Sequence, residues 1–146
     1  MEKLMQNGNV TALHIARIKG TPSDQVNTAV AVSGHGIEGD RSCNPDNTRQ
    51  VLVMDQETLT SFDLHPGQVK ENITTAGIDL SQTQAGQVLF VGDDVTLELV
   101  GPCVACGKMN AIRDGLLDDI QGQRGMLAVV LNGGTINVGD SVRIEP

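Results

Sequence analysis

The sequence predicts a mostly β fold, a largely antiparallel β-barrel with two or three short helices. Its apolar runs are short and separated by turn-rich segments, with 17 glycines among 146 residues. Helical segments do not alternate with strands, which argues against a parallel sheet wrapped by helices. Phe62 and Phe90 are the only aromatic residues, so the core must be aliphatic. We expect one domain over residues 1–146, with residues 1–9 as a flexible N-terminal extension.

The first half of the chain contains three predicted strands and one helix. Val10 to Ile18 and Thr28 to Val32 are rich in β-forming residues. Gln50 to Met54 is a compact apolar run, typical of a strand that is buried on both faces. Asp55 follows it as a good N-cap for a helix over Gln56 to Leu64, because its carboxylate can accept a hydrogen bond from a free amide of the first turn.

The second half is predicted to contain five strands and one interrupted helix. Gly92, Asp93 and Asp94 are turn residues between two apolar runs, which indicates a β-hairpin. The helix is weakened at Gly115, because glycine disfavours a helix interior. The predicted segments are Asn72 to Thr74, Gln87 to Val91, Val95 to Val100, the helix from Gly107 to Ile120, Met126 to Leu131 and Ser141 to Ile144.

Composition and charge exclude several classes of function. The net charge is −8, and a nucleic-acid binder needs a basic surface and aromatic residues for stacking. No apolar run approaches the ~18 residues that cross a bilayer. The N-terminus has no secretory signal, so we expect a cytoplasmic protein with reduced thiols. A local basic pocket can still exist in an acidic protein. Six cations lie in or beside glycine-bearing segments: Arg41, Arg49, Lys70, Lys108, Arg113 and Arg124.

The segment from Gly101 to Asn110 is the best candidate for chemistry, since it holds two of the three cysteines, Cys103 and Cys106. Lys108 and Arg113 follow closely, and nearby cations favour the reactive thiolate form of a cysteine. The CxxC spacing alone also fits a redox pair or half of a zinc site. Such a zinc site would borrow Cys43 and one of the three histidines, which are His14, His35 and His65.

Seven short motifs, in order, resemble the MOSC domain, named for the C-terminal part of molybdenum cofactor sulfurases. Each motif is weak alone, but their shared order and spacing form a strong joint signal. Together they span nearly everything after about residue 12. The matching segments are Gly36 to Arg41, Arg49 to Leu52, Gly67 to Asp79, Gly86 to Leu97, Cys106 to Lys108, Gly122 to Gly125 and Gly139 to Val142.

The resemblance implies a β-barrel that binds the molybdenum cofactor or handles sulfur for it. Cys106 stands at the family's cysteine position, which implies either a molybdenum ligand or a persulfide carrier. Thiolate is a soft metal ligand and also a nucleophile, so its chemistry suits both roles. The implied activity is sulfur transfer or reduction of N-hydroxylated compounds, with a cysteine desulfurase or a redox protein as partner. No pyridoxal phosphate is expected in this chain, because the desulfurase half of a full sulfurase is absent.

The resemblance also implies a set of cofactor-binding residues. Cationic side chains and backbone amides suit the phosphate of the pterin, while polar side chains suit its edges. The predicted set is Arg49, Gly67, Lys70, Asn72, Thr74, Lys108, Arg124 and Gly125. Arg49 has an equal alternative as an ion-pair partner of Glu71 or Asp40, whose carboxylates we expect to orient other residues. Cys103 and Cys43 are expected to be structural.

A second class of function stays open beside the first. The chain then holds the cofactor, or a sulfur-delivery protein, without any turnover. Such a non-catalytic carrier, storage protein or interaction module keeps the same cavity and the same cysteine. Turnover with an N-hydroxylated substrate separates the two hypotheses.

Overall fold

The structure is a computed structural model that describes residues 5–104 and 107–145. Strands dominate it, as predicted, and the helices are short. The strands are β1 Gln6–Ile15, β2 Asp24–Val26, β3 Thr28–Val32, β4 Gly36–Ile37, β5 Val51–Asp55, β6 Ile73–Ala76, β7 Val88–Val91, β8 Val95–Pro102, β9 Met126–Asn132, β10 Gly134–Asn137 and β11 Ser141–Ile144. The helices are α1 Gln56–Ser61, α2 Lys108–Ile112, α3 Leu116–Asp119 and a 3₁₀ helix, Leu80–Gln82.

Seven of these strands form a closed barrel. Their order around it is β1, β11, β7, β8, β9, β5 and β6, and β6 pairs with β1 again. Among the described strands, β5 and β6 form the one parallel pair, and the other pairings are antiparallel. β2 extends the sheet beyond β1, while β10, β3 and β4 form a separate small sheet. The predicted fold class, a largely antiparallel β-barrel with two or three short α-helices, is confirmed.

β1 closes the barrel by changing partners along its length. Its first residues pair with the last strand, from Gln6 opposite Ile144 to Asn9 opposite Ser141. From Asn9 to Leu13 it pairs with β6, with a register shift within this pairing between Val10 and Ala12. Residues 6–9 therefore belong to the barrel, whereas we had expected them to be a flexible extension. These residues form a strand through backbone hydrogen bonds to β11, and their polar side chains give no apolar pattern that would predict it.

Two apolar clusters result from the alternation of side chains along the barrel strands. Val51 and Val53 of β5 point into the barrel, where an aliphatic core fills the interior, as the composition predicts. Met54 joins a second cluster, in which the three helices cover that face of the barrel. Its buried members are Met54, Leu59, Leu64, Val69, Met109, Leu116 and Ile120.

The predicted start of α1 is confirmed, and its predicted end is wrong. Asp55 caps α1 by accepting a hydrogen bond from the Thr58 amide, as predicted. α1 ends at Ser61 rather than Leu64, because Asp63 takes a left-handed conformation with φ 56°. The Leu64 amide then bonds to the Leu59 carbonyl at 2.9 Å, which turns Leu64 into the second cluster. No helix within the described residues is long and apolar enough to cross a membrane.

Gly115 divides the predicted helix between residues 107 and 120 into α2 and α3, as its position suggested. Its φ of 84° is left-handed, a conformation that glycine adopts without a steric penalty. The three strands that we did not predict, β2, β4 and β10, have two to four residues each. Such short segments lack the length needed to show a period of two.

Candidate functional site

A cavity of about 580 Å³ lies beside the second cluster, on the outer face of the barrel. Leu52 of β5 and Leu127 of β9, which are opposite each other in the register, line it. Its remaining walls come from the loops that precede β5, β6 and β9 and follow β1, β4 and β8, and from Lys108 at the start of α2. Residues distant in the sequence therefore meet here because the barrel brings these loops together.

The cavity is strongly cationic although the chain is acidic. Six of the ten Lys and Arg residues of the sequence line it, against a single carboxylate, Asp40, among the described residues. The six cations are Lys19, Arg41, Arg49, Lys70, Lys108 and Arg124. Positive side chains gathered in a concave site raise the local concentration of anions. The cavity is therefore suited to an anionic ligand.

Arg124 is a buried cation of the cavity with incomplete hydrogen bonding. The residue is only 7 % exposed, and its Nη2 donates to the Val69 carbonyl at 2.5 Å. Nε and Nη1 are buried and have no hydrogen-bond partner among the described residues. A buried guanidinium without partners for its N–H groups is costly. An anion in the cavity is the kind of group that would complete its bonding.

Glu71 is a buried carboxyl group whose pKa is influenced by the charge of Arg124. It is fully buried, and burial raises the pKa of its carboxyl group, while backbone amides, Thr74 and the charge of Arg124 act in the opposite direction. Thr74 donates from Oγ1 to Glu71 Oε2 at 3.3 Å, and Oε1 has no described partner. No nitrogen of Arg124 lies within ion-pair distance of Glu71 among the pairs described. The guanidinium is therefore left to interact with a ligand.

Asn72 and Asp40 form a hydrogen-bonded unit at one wall of the cavity. Asn72 Nδ2 donates to Asp40 Oδ1 at 2.9 Å and to the His14 carbonyl at 3.2 Å, while its Oδ1 accepts from the Leu52 amide. Asp40 also accepts from the backbone amides of Ala16 and Ser42. The orienting role expected for Asp40 fits these contacts. The Asn72 side chain is occupied by the protein itself and serves to hold this wall in place.

Arg49 lies at the same cavity and touches a thiol. Its Nη2 donates to Cys103 Sγ at 4.0 Å, and no described carboxylate lies within ion-pair distance of it. The alternative role, an ion pair of Arg49 with Glu71 or Asp40, is therefore absent among the described residues.

Lys70 lies at the mouth of the same cavity. Its backbone is left-handed, with φ 67°, and its Nζ donates to the Thr21 carbonyl at 2.5 Å. That bond joins two loops at the mouth of the cavity.

The structure brings together five of the eight predicted cofactor-binding residues: Arg49, Lys70, Asn72, Lys108 and Arg124. The other three lie elsewhere. Thr74 is fully buried against Glu71, and Gly67 packs on the His14 ring, where an added Cβ would lie 2.6 Å from Cδ2. Gly125 sits against the Val53 carbonyl on a different cavity. Cys106, the predicted catalytic residue and metal ligand, lies outside the described residues.

The lining residues outside the predicted set include two cations and a thiol, namely Lys19, Arg41 and Cys103. Arg41 had a signal, because it closes the first matching motif beside a glycine-rich turn. Cys103 had one in its CxxC spacing, although we expected it to be structural. Lys19 had none, since it lies in an ordinary polar loop after β1.

Metal-binding alternatives find no preformed cluster in the described part of the chain. No three His, Cys, Asp or Glu side chains there lie close enough to hold a metal ion. Cys43, which the zinc alternative would need, does not line the cavity with Cys103. Burial raises the pKa of Cys43, and the charges of Asp40 and Glu38 raise it further.

Comparison with known proteins gives the chain its family. Solved structures with the same fold include YuaD from Bacillus subtilis, with a TM-score of 0.79 at 19 % identity, covering 97 % of each chain. YiiM from Escherichia coli gives 0.70 at 19 % identity, covering 94 % of this chain and 70 % of that one. YiiM from Geobacillus stearothermophilus gives 0.75 at 15 % identity, covering 98 % and 76 %. No curated protein sequence matches. The MOSC domain model matches residues 40–143, so the chain belongs to the MOSC domain family, which is generally associated with the molybdenum cofactor.

Proposed function

We propose that this protein binds the molybdenum cofactor through the cationic cavity and uses the Cys106 thiolate toward it. The thiolate either ligates the metal or carries sulfur to it. Membership of the MOSC domain family supports the cofactor class. The partner is a cysteine desulfurase or a redox protein, and the cytoplasm is the compartment that keeps such thiols reduced.

The observation that carries this proposal is the incomplete bonding of Arg124. Two of its guanidinium nitrogens are buried without a partner, in a residue that lines the cavity. Guanidinium N–H groups make charge-assisted bonds to phosphate, and such bonds are among the strongest in proteins. A phosphate-bearing ligand therefore provides the acceptors that the fold withholds from Arg124.

The residues present fit the proposed group in size and in charge. A volume of about 580 Å³ is typical of small-molecule sites. Arg124, Arg49, Lys70 and Lys108 would hold the phosphate and orient the pterin, with Asn72 fixing the wall beside them. When bound, the molybdenum centre supplies oxygen-atom or sulfur-transfer chemistry. The chain itself binds the group, positions it and presents a thiolate.

A carrier that performs no turnover is the second candidate, and one observation favours it. Asp40 is the only carboxylate among the described residues that line the cavity, and both of its oxygens accept hydrogen bonds from the protein. A general acid or base needs a group free to exchange a proton with the substrate. Measuring turnover of an N-hydroxylated substrate by cofactor-loaded protein decides between an enzyme and a carrier.

The proposal is tested with protein made in a host that synthesises the cofactor. Molybdenum and pterin are then quantified per chain in the parent protein, in Arg124→Ala and in Arg143→Ala. Arg143 is the matched control, because it pairs with Glu145 on β11 and does not line the cavity. We expect Arg124→Ala to weaken cofactor binding by about 1.5–3 kcal/mol. Equal cofactor content in all three proteins, or none in the parent, would contradict the proposal.

A further inference from the structure

We propose that Cys103 is a functional thiol of the cationic cavity, held by Arg49 as a nucleophile toward small anionic, thiol-reactive ligands. The sequence predicts a structural role for this cysteine and a reactive thiol at Cys106. The proposal concerns described residues only and does not depend on which cofactor enters the cavity.

The position of Cys103 combines shielding with access to the cavity. The residue is 6 % exposed, yet it lines the cavity with Arg49 and Arg124. Its amide donates to the Gly125 carbonyl at 2.9 Å, which ties the end of β8 to the segment that leads into β9. Reagents therefore reach this sulfur by way of the cavity and its cations.

The Cys103 sulfur has two described contacts. Sγ donates to the Val104 carbonyl at 3.9 Å, a long contact for a weak donor. Sγ also accepts from Arg49 Nη2 at 4.0 Å. These contacts hold the sulfur at the cavity beside a positive charge.

The surrounding charges act on the reagent as well as on the sulfur. Arg124 has two guanidinium nitrogens, Nε and Nη1, without a described partner, and it lines the same cavity. The single lining carboxylate, Asp40, has both oxygens bonded to the protein. An anionic reagent is therefore attracted into the cavity, whereas a neutral reagent of the same size is not.

Cys43 provides an internal comparison with the opposite electrostatics. It is more accessible than Cys103, being only partly buried. Desolvation raises its pKa, and the negative charges of Asp40 and Glu38 raise it further. The same carboxylates repel an anionic reagent. Accessibility therefore favours reaction at Cys43, while charge favours reaction of an anion at Cys103.

Iodoacetate and iodoacetamide separate these effects, because they share one mechanism and differ in charge. The thiolate attacks the carbon that bears iodine, an S–C bond forms, and the C–I bond breaks with its electron pair leaving on iodide. The thiol proton goes to solvent, and no oxidant or reductant is needed. The ratio of the two rate constants at one thiol cancels its accessibility and its thiolate fraction.

The test measures this ratio at each cysteine of the cofactor-free full chain by mass spectrometry. We expect the iodoacetate-to-iodoacetamide ratio at Cys103 to exceed that at Cys43 by about tenfold at low salt, falling as salt is added. Arg49→Gln should lower the ratio at Cys103, Arg49→Lys should preserve most of it, and Arg143→Gln should leave it unchanged. Thermal unfolding checks that each variant is folded, which is expected for an exposed arginine.

Cys103 and Cys106 fall on one tryptic peptide, ending at Lys108, so fragment ions must assign the modified residue. Repeating the measurement in Cys106→Ser removes the neighbouring thiol altogether. Equal ratios at Cys103 and Cys43, or a Cys103 that neither reagent modifies, would overturn the proposal. Because no cofactor is present, such a result leaves the test of cofactor binding by Arg124→Ala untouched.

Discussion

The cationic cavity and the acidic groove of this protein use charge in opposite ways. We define the acidic groove as two adjoining cavities that share Asp55, Thr58 and Asp79. The cationic cavity collects most of the chain's positive side chains, and the acidic groove collects carboxylates. The distribution of charged side chains alone makes both regions candidates for a binding site.

Hydrogen bonding distinguishes the two regions. In the groove, Asp55 accepts from Thr58 N and Oγ1 to cap α1, and Asp79 accepts from Ser81 to cap the 3₁₀ helix. Glu57 accepts from the Gly77 amide at 2.8 Å. In the cavity, Arg124 retains two guanidinium nitrogens without a described partner. The carboxylates of the groove are hydrogen-bonded within the protein and stabilise the fold. The guanidinium of Arg124 has nitrogens without a protein partner, which indicates a ligand.

The largest effect that we expect comes from Cys106. Cys106→Ser replaces a soft thiolate by a hard, weakly acidic hydroxyl of similar size, so retention of molybdenum or formation of a persulfide should be lost. The free energy of unfolding should change by less than about 1 kcal/mol. Metal analysis, persulfide detection and urea unfolding measure these quantities, with Cys43→Ser as the matched control. Full molybdenum retention and unchanged sulfur transfer in Cys106→Ser would remove the thiol from the mechanism.

A substitution at Gly125 tests whether the groove side of this loop serves the fold. Gly125 has φ 87°, and an added Cβ would overlap the Val53 carbonyl oxygen, so Gly125→Ala should lower the free energy of unfolding by about 3 kcal/mol. Gly86→Ala is the control, since φ is 93° there but an added Cβ meets no atom within 4 Å. It should cost about 1 kcal/mol. Equal losses in urea unfolding would show that the Val53 contact does not matter.

Paired substitutions test the contrast between the two regions directly. Asp55→Ala removes the N-cap of α1 and should lower the free energy of unfolding by about 1 kcal/mol, without affecting anion binding. Arg49→Gln should change stability by less than about 0.5 kcal/mol and weaken the binding of inorganic pyrophosphate. Urea unfolding and titration calorimetry measure the two effects. If Asp55→Ala weakens pyrophosphate binding as much as Arg49→Gln does, the contrast fails.

The smallest effect concerns the pH dependence of stability. Because burial raises the pKa of Glu71, the folded chain holds that proton more tightly than the unfolded chain. Its contribution to stability is therefore complete below pH 4.5 and is lost as pH rises through the folded pKa. Glu71→Gln stays neutral and should not show this loss. The difference in unfolding free energy between Glu71→Gln and the parent should grow with rising pH, and a constant difference would exclude this role.

His14 contributes to the same pH profile with the opposite sign. Burial lowers its pKa, so its contribution to stability is lost as pH falls from 6.5 through the lower folded value. Both proteins retain His14, a residue of β1 whose ring packs against Gly67 and makes no described contact with the carboxyl group of Glu71. Its contribution therefore cancels when Glu71→Gln is compared with the parent.

The sequence predicted the elements whose signals are local. The aliphatic strand before Asp55, the cap of α1, the hairpin around Gly92 and the break at Gly115 all depend on neighbours within a few residues. The placement of β1 was predicted only from Val10 onward, because residues 6–9 are polar and are held by backbone pairing to β11.

The cavity could be predicted only in part, because its walls meet through the barrel rather than through the chain. Family resemblance supplied Arg49, Lys70 and Arg124, but no local pattern distinguishes Lys19 from any other loop lysine. Thr74 is predicted to bind the cofactor, yet its side chain is fully buried and donates to Glu71. The sequence identifies the residue types. Only the folded structure shows which of their side chains have no hydrogen-bond partner.

The pairing of β1 with β11 has a consequence for how the molecule folds. The residues that close the barrel stand at opposite ends of the sequence, with Gln6 opposite Ile144. Closure therefore cannot precede synthesis of the last strand, and such distant contacts slow folding, typically to milliseconds or longer. Until then the edges of β1 and β7 that face this gap have no partner. A ribosome-bound chain lacking β11 is an open sheet, exposed to pairing with other chains.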